Sequence, residues 1–153
     1  AKSWEGRMNI LVAVDLSDVS QKILDKAKTL ALALSAKVWL LNVTEPGPNF
    51  GRFNVGPETV REQTAEEFHQ EHNDLQEKAE DFRKSGIETK ALLIQGATVE
   101  VILKKSKELK IDIITVGTHG HGGVYHLIYG SVCEGVLKSS SCPVLVVPVH
   151  DRT

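Results

Sequence analysis

Five short apolar runs rich in β-branched residues are spread along the chain. They occupy residues 8–14, 37–43, 87–94, 111–116 and 143–149, and each has the length of a strand buried on both faces. Segments with helical spacing of apolar residues separate most of them. Strands that alternate with helices are typical of a parallel sheet with right-handed crossovers and helices on both faces. The pattern therefore predicts a single-domain α/β fold.

The helical segments carry their apolar residues on one face, as helices that cover a sheet do. Residues 17–36 begin with Ser17 or Asp18 as an available N-cap, and Gly86 follows the segment 58–85 as a candidate C-cap. The residues predicted to face the sheet are Ile23, Leu24, Ala27, Leu30, Ala31 and Leu34 in the first segment, Val60, Phe68, Leu75, Ala79 and Phe82 in the second, and Val101, Ile102 and Leu109 in residues 98–110.

Composition restricts the partners that we expect. The chain has 153 residues and a formal net charge of −2, with no cluster of basic residues to neutralise a phosphate backbone, so we expect no nucleic-acid partner. No apolar run approaches the roughly 20 residues that span a bilayer, and Asp15 interrupts the first run too early for a signal peptide. We therefore expect no membrane association and a cytoplasmic location, with residues 1–7 as a leader or expression remnant.

A glycine-rich stretch, VGTHGHGGVYHLIYGS at residues 116–131, follows the fourth predicted strand. Open parallel sheets bind ligands outside the carboxyl ends of their strands, which is where this stretch begins. Asp15 comes directly after the first predicted strand and is either a helix cap or a ligand contact. The two positions predict a small-molecule site at one edge of the sheet.

The glycine spacing in this stretch indicates a phosphate site. Neither GxxxxGK[ST] nor GxGxxG fits, but the chain contains Gly117-x2-Gly120-x9-Gly130-Ser131. Gly117 and Gly120 allow successive main-chain N–H groups to form an anion-binding nest. Gly130 and Ser131 open a helix whose N-terminal N–H groups, dipole and serine hydroxyl face an anion.

At these residues the chain resembles the nucleotide-binding branch of the universal stress protein family, whose signature is G-x2-G-x9-G-[ST]. The segments NILVAVDLS, DIITVGTHG, GSVCEGVLKSS and SCPVLVVPV extend the resemblance over residues 8–149. It implies a Rossmann-like open sheet of five parallel strands in the order 3-2-1-4-5. It also implies homodimers that pair through the C-terminal strand, and ATP or another adenine nucleotide, with or without Mg²⁺, in the cleft.

The same resemblance assigns the nucleotide-binding residues position by position. Those implied to border the adenine and ribose are Ala13, Val14, Asp15 and Val43. Those implied to surround the ribose and phosphates are Val116, Gly117, His119, Gly120, Gly130, Ser131 and Val132. The resulting hypothesis is an ATP-binding regulatory protein of the stress response.

Other interpretations of these residues stay open. The protein is either nucleotide-binding only or a slow ATPase or autophosphorylating phosphotransferase, with Asp15 helping to hold Mg²⁺. A nucleotide-free dimerisation module, whose glycines only shape a loop, is the third interpretation. His119, His121 and His126 could ligate zinc, but flexible glycines between ligands are unusual in a preorganised metal site. Cys133 and Cys142 lack the CxxC spacing and are expected to be reduced.

Overall fold

The computed structural model describes residues 7–14, 20–44, 58–118 and 131–148, with the side chains of residues 20, 58–69, 71 and 131 left aside. Strands and helices alternate throughout these ranges, as predicted. In chain order they are β1 Asn9–Ala13, α1 Ser20–Leu34, β2 Lys37–Thr44, α2 Glu58–Lys84, β3 Thr89–Gln95, α3 Thr98–Glu108, β4 Ile113–Gly117, α4 Ser131–Ser139 and β5 Val144–Val147.

The five strands form one parallel sheet in the order β3-β2-β1-β4-β5, which confirms the predicted fold class. The chain moves from β1 towards one edge through β2 and β3, and then crosses to the other side of β1 for β4 and β5. Right-handed crossovers in opposite directions place their helices on opposite faces. Accordingly, α1 and α2 cover one face, and α3 and α4 cover the other.

Two apolar clusters, one on each face of the sheet, make up the core. Ile10, Leu11 and Val12 of β1 are fully buried, because β1 lies in the middle of the sheet and both of its faces are covered. On the first face the helices contribute Ile23, Leu24, Ala27, Ala31, Leu75, Ala79 and Phe82. On the second face they contribute Ile102, Cys133 and Val136.

The structure departs from the predicted burial at a few positions. Leu34 was expected to face inward but is 37% exposed, because α1 ends at this residue and Ala36 takes over the packing. The outer strands β3 and β5 are only partly buried, since each lies at an edge of the sheet. The described residues do not include the predicted caps Ser17 and Asp18, the predicted inward side chains of Val60 and Phe68, or residues 45–57.

Two further expectations concern the membrane and the cysteines. Within the described ranges, no helix is both long and apolar enough to cross a bilayer, and α2, the longest, is rich in acidic residues. Cys133 and Cys142 are both free, as expected. Burial raises the pKa of the Cys133 thiol.

Three of the helices end in the same way, on a residue with a positive φ angle. Ser35, Gly86 and Lys110 have φ angles of 53°, 91° and 53°. The residue that follows each of them is apolar and buried, and its N–H donates to the carbonyl five residues earlier. These bonds run from Ala36 to Ala31 (2.9 Å), from Ile87 to Phe82 (3.1 Å) and from Ile111 to Ser106 (2.9 Å). This arrangement turns the chain from a helix into the next strand, and it confirms Gly86 as the cap of α2.

Replacing Lys110 by glycine is expected to stabilise the protein by about 0.5–1 kcal/mol. The left-handed conformation costs a residue with a Cβ roughly 1–2 kcal/mol, and glycine recovers part of that despite its greater freedom in the unfolded chain. Gly86→Ala is the matched control: an added Cβ meets nothing within 4 Å, so the φ of 91° alone should lower stability by about 1 kcal/mol. Urea unfolding measures both changes, and a Lys110→Gly protein less stable than the parent would contradict this account.

Candidate functional site

The carboxyl ends of β1 and β4 lie at the centre of the edge where the sequence places a ligand. The two strands are paired only as far as Val12 and Thr115, whereas β4 continues beside β5 to the pair Gly117 and Val147. The connection after β1 runs to one side of the sheet and the connection after β4 to the other. Such a reversal leaves a crevice outside the strand ends, which is where open parallel sheets bind ligands.

On its other side, β1 also separates from β2 near this edge. Their register ends at Ala13 and Leu41, although β2 continues beside β3 to Thr44. The N–H of Val14 still donates to the carbonyl oxygen of Leu41 at 2.8 Å. The carbonyl oxygen of Val14 instead accepts a hydrogen bond from the side-chain Nδ2 of Asn42, at 2.6 Å. The end of β1 is therefore held by one main-chain bond and one side-chain bond.

Asn42 is a residue of this site that the sequence pattern did not single out. Its side chain is 6% exposed, and its Oδ1 accepts a hydrogen bond from Oγ1 of Thr44 at 3.4 Å. The carbonyl of Thr44 in turn accepts the N–H of Gly96 at 3.1 Å. These bonds connect the ends of β1, β2 and β3 along the carboxyl edge. The available signal was a single polar residue inside the apolar run VWLLNV.

A group of partly exposed apolar side chains, which we call the edge patch, lies beside the crevice on the α3–α4 face. These side chains pack on the buried cluster that contains Val116. They come from the ends of three strands and the first turns of two helices: Ala13, Val43, Ile94, Val99, Val101 and Val132. Partly exposed apolar side chains suit the flat ring of a small molecule.

The N-termini of α3 and α4 give the same edge a positive electrostatic character. Both helices follow strands that end there, so their first N–H groups and the positive ends of their dipoles face the crevice. Ala97, which precedes α3, makes no side-chain capping bond. α4 begins at Ser131, directly after Gly130 of the glycine signature. The arrangement can bind a molecule that is apolar at one end and anionic at the other.

One acidic residue lies in the first turn of each of these helices, Glu100 in α3 and Glu134 in α4. Glu134 pairs with Lys138 at 3.1 Å, and both side chains are more than half exposed. In the described ranges no three His, Cys, Asp or Glu side chains come together as a metal site. The histidines at positions 119, 121 and 126 lie outside those ranges.

Several of the predicted site residues meet at this edge. Ala13, Val43, Val116 and Val132 belong to the cluster on the α3–α4 face, and Gly117 ends β4 beside them. The side chain of Val14 instead packs on the opposite face, with α1 and α2. The described residues do not include Asp15, His119, Gly120, Gly130 or the side chain of Ser131. The contacts assigned to them therefore stay predictions.

Gly135 allows α4 to pack closely against α3. A Cβ added at this position would lie 2.8 Å from Cγ2 and 3.2 Å from Cγ1 of Val99, which is a residue of the edge patch. Valine is stiff about χ1 and cannot easily turn away. The glycine therefore sets the distance between the first turn of α3 and the helix that follows the glycine signature.

A family model described as the universal stress protein family matches residues 6–148. Universal stress protein YxiE of Bacillus subtilis is 32% identical over 143 residues, covering 90% of this chain and 97% of the relative. Among solved structures, MJ0577 of Methanocaldococcus jannaschii is similar with a TM-score of 0.78 and 26% identity over 97% of this chain and 99% of that one.

Two further structures share the fold and were solved with nucleotides. One is a universal stress protein in complex with cAMP, with a TM-score of 0.69 and 23% identity over 95% of this chain and 99% of that chain. The other is the universal stress protein from Archaeoglobus fulgidus in complex with dAMP, with a TM-score of 0.62 and 23% identity over 93% and 98%.

The fold is that of an open α/β protein whose strand order reverses between β1 and β4, the point at which such folds bind ligands. The family model matches almost the whole chain, and universal stress protein YxiE is matched along nearly its full length. The chain belongs to the universal stress protein family. The predicted family is thereby confirmed, and membership of its nucleotide-binding branch stays a prediction.

Replacing Gly135 by alanine is expected to destabilise the protein by about 1–2 kcal/mol, because overpacking against Val99 outweighs the better helix propensity of alanine. Combining it with Val99→Ala removes the two methyl groups in the way. In that background Gly135→Ala should be neutral or stabilising by up to about 1 kcal/mol. Thermal and urea unfolding of the four proteins measure the coupling, and a Gly135→Ala variant more stable than the parent would show that the helices are not in tight contact.

Proposed function

We propose that the protein is an ATP-binding regulatory protein of the stress response, which binds the nucleotide in the crevice at the carboxyl edge of the sheet. The observation that carries the proposal is the position of the first turn of α4. Val132 packs with the edge patch, and the residue before this helix, Gly130, ends the glycine signature. The first turn of α4 thus belongs both to the apolar edge patch and to the helix N-terminus that we propose faces the phosphates.

Each part of the nucleotide has a matching surface in this proposal. The adenine lies on the edge patch, against Ala13 and Val43, and Asp15 accepts hydrogen bonds from the ribose hydroxyls. The phosphates lie against the main-chain N–H groups of the signature glycines and the N-terminus of α4. Val14 and Val116 have buried side chains and contribute only main-chain groups in this proposal. The remaining assigned contacts are those of His119, Ser131 and Val132.

The two nucleotide complexes of the same fold support an adenine nucleotide as the ligand. The ligands in those proteins, cAMP and dAMP, share an adenine, a pentose and one phosphate and differ in the 2′-hydroxyl and in the ring closure of the phosphate. A fold that accepts both is suited to adenine nucleotides as a class. For the present chain, the signature with three glycines and Ser131 favours a longer phosphate chain, because it offers more main-chain donors than one phosphate needs.

Extraction of the purified native protein, followed by mass spectrometry of the released small molecules, tests the proposal. We expect ATP or another adenine nucleotide in the extract and saturable ATP binding of the stripped protein by calorimetry. Recovery of ADP from protein loaded with ATP would instead indicate slow hydrolysis. An empty extract together with no calorimetric binding of ATP, ADP or AMP, with or without Mg²⁺, would contradict the proposal.

Two substitutions in the signature should differ in their effect on ATP. Gly130→Val should abolish binding, because a branched side chain occupies the phosphate volume and displaces the first N–H groups of α4. Ser131→Ala should cost only about 0.5–1.5 kcal/mol of binding free energy, since it removes one hydroxyl donor. Calorimetry and thermal unfolding are measured together on both variants. A folded Gly130→Val protein with parental ATP affinity would show that the phosphates lie elsewhere.

The proposal includes a homodimer that forms through β5. This strand lies at the sheet edge, and its side chains Val144, Leu145 and Val146 are only partly buried. Pro143 and Val147 direct their carbonyls to β4, accepting N–H groups from Ile114 and Thr118. Because alternate residues of a strand face opposite neighbours, Val144 and Val146 direct their main-chain groups away from the sheet, where a two-fold mate can pair with them.

Val146→Pro is expected to dissociate the dimer, because it removes an outward N–H and proline is otherwise tolerated on an edge strand. Leu93→Pro is the matched control on the opposite edge: Leu93 lies in β3 and, like Val146, is partly buried. Light scattering at tens of micromolar, a concentration taken from the micromolar end of the affinity scale, measures the mass. A monomeric parent, or a Val146→Pro protein that stays dimeric, would overturn pairing through β5.

A further inference from the structure

We propose that Asn42 is a positioning residue of the nucleotide site, which fixes the main chain of Val14 at the end of β1, directly before Asp15 in the sequence. This inference rests on the proposed function and extends it to a residue that touches no ligand. Asn42 is in the interior of the sheet, 6% exposed, whereas the edge patch residues that face the ligand are partly exposed. Its action is therefore on the protein backbone.

The hydrogen bond of the Asn42 side chain lies where the β1–β2 ladder ends. The β1–β2 register ends at Ala13 and Leu41, so the carbonyl of Val14 is the first one beyond the ladder. In a ladder that continued, a main-chain N–H of β2 would satisfy this carbonyl. Here Nδ2 of Asn42 does so at 2.6 Å, while the N–H of Val14 is still bound to Leu41 at 2.8 Å. The side chain thus pairs the carbonyl of Val14 where the main-chain ladder between β1 and β2 ends.

The side-chain amide of Asn42 provides both the donor and the acceptor that this position requires. The site requires a donor towards Val14 and an acceptor towards Oγ1 of Thr44, which lies 3.4 Å from Oδ1. A carboxamide has both in a fixed plane, and this pattern assigns its orientation. A carboxylate could not donate to the Val14 carbonyl, and an aliphatic side chain of similar size could neither donate nor accept. Few other residues could hold this corner.

Val14, which Asn42 holds, directly precedes Asp15 in the chain. Both of its main-chain groups are fixed and its side chain is 4% exposed, so the peptide that leads into Asp15 starts from a rigid residue. A ligand contact weakens sharply when its donor or acceptor is displaced by about 1 Å. Loss of the Asn42 bond should therefore weaken the interaction between Asp15 and the ribose, even though Asn42 itself lies behind the strand.

Hydrogen exchange of the nucleotide-free protein tests the structural half of the inference. In Asn42→Leu the amide of Val14 should exchange at least about tenfold faster than in the parent, while the amide of Val12, inside the ladder, changes little. Thr89→Val is the matched control, because Thr89 is also a buried polar residue of the sheet and its hydroxyl donates to the Ile87 carbonyl at 3.0 Å. Equal exchange at Val14 in both variants would overturn the positioning role.

A double-mutant cycle with Asp15→Ala tests the functional half. Asn42→Leu alone should raise the Kd for ATP by about tenfold, the size expected for one well-placed hydrogen bond. In the Asp15→Ala background the same change should alter Kd by less than about twofold, since the group that Asn42 positions is already gone. Thr89→Val should leave Kd at the parental value in both backgrounds.

The outcomes separate this inference from the proposed function. If the losses from Asn42→Leu and Asp15→Ala simply multiply, or if Asn42→Leu binds ATP like the parent, Asn42 does not act through Asp15. A parent that binds no adenine nucleotide overturns the proposed function and the functional half of this inference with it. The exchange rate at Val14 then still decides whether Asn42 fixes the end of β1.

Discussion

The pairing of β1 with β2 on one side and β4 on the other is the constraint on which the rest of the structure depends. Because all three strands are parallel, every connection must cross a face of the sheet, and right-handed crossovers in two directions cover both faces. This is why Ile10, Leu11 and Val12 are fully buried. It is also why a crevice opens where β1 ends, since its two neighbours continue along their outer partners after β1 has left the ladder.

The two faces of the sheet contribute differently to the protein. The face covered by α1 and α2 is closed by a large apolar cluster and by ion pairs such as Lys28 with Asp81, which holds the pKa of that carboxyl below its usual range. The face covered by α3 and α4 ends in the partly exposed edge patch. Two close contacts stabilise this edge. The side-chain amide of Asn42 donates to the carbonyl of Val14 at the end of β1, and Gly135 leaves room for the side chain of Val99. Contacts that stabilise the fold thus lie at the same edge where we propose that the nucleotide binds.

Much of the fold could be predicted from the sequence, because apolar periodicity reports local structure directly. The five strands and four helices of the described ranges lie where the pattern indicated, and Leu34 was placed wrongly because periodicity does not reveal at which residue a helix ends. The strand order came from the family resemblance, since a periodic pattern contains no information about which strands are neighbours. Within the site, residues at strand ends such as Ala13 and Val43 could be found by position. The contacts of Asn42 and Gly135 could not, because each depends on an atom that only the folded chain brings near.

The central claim is that an adenine nucleotide binds at the carboxyl edge on the α3–α4 face, and an ATP titration of the isotope-labelled protein monitored by NMR tests it most directly. We predict saturable shifts of the main-chain amides of Ala13, Val43, Gly117 and Val132. We predict none in the groove at the opposite end of the sheet, which is lined by Arg7, Ala31, Leu32, Ser35, Ala36, Gly86 and Ile87. Shifts confined to that groove, or the absence of any saturable change, would contradict the account.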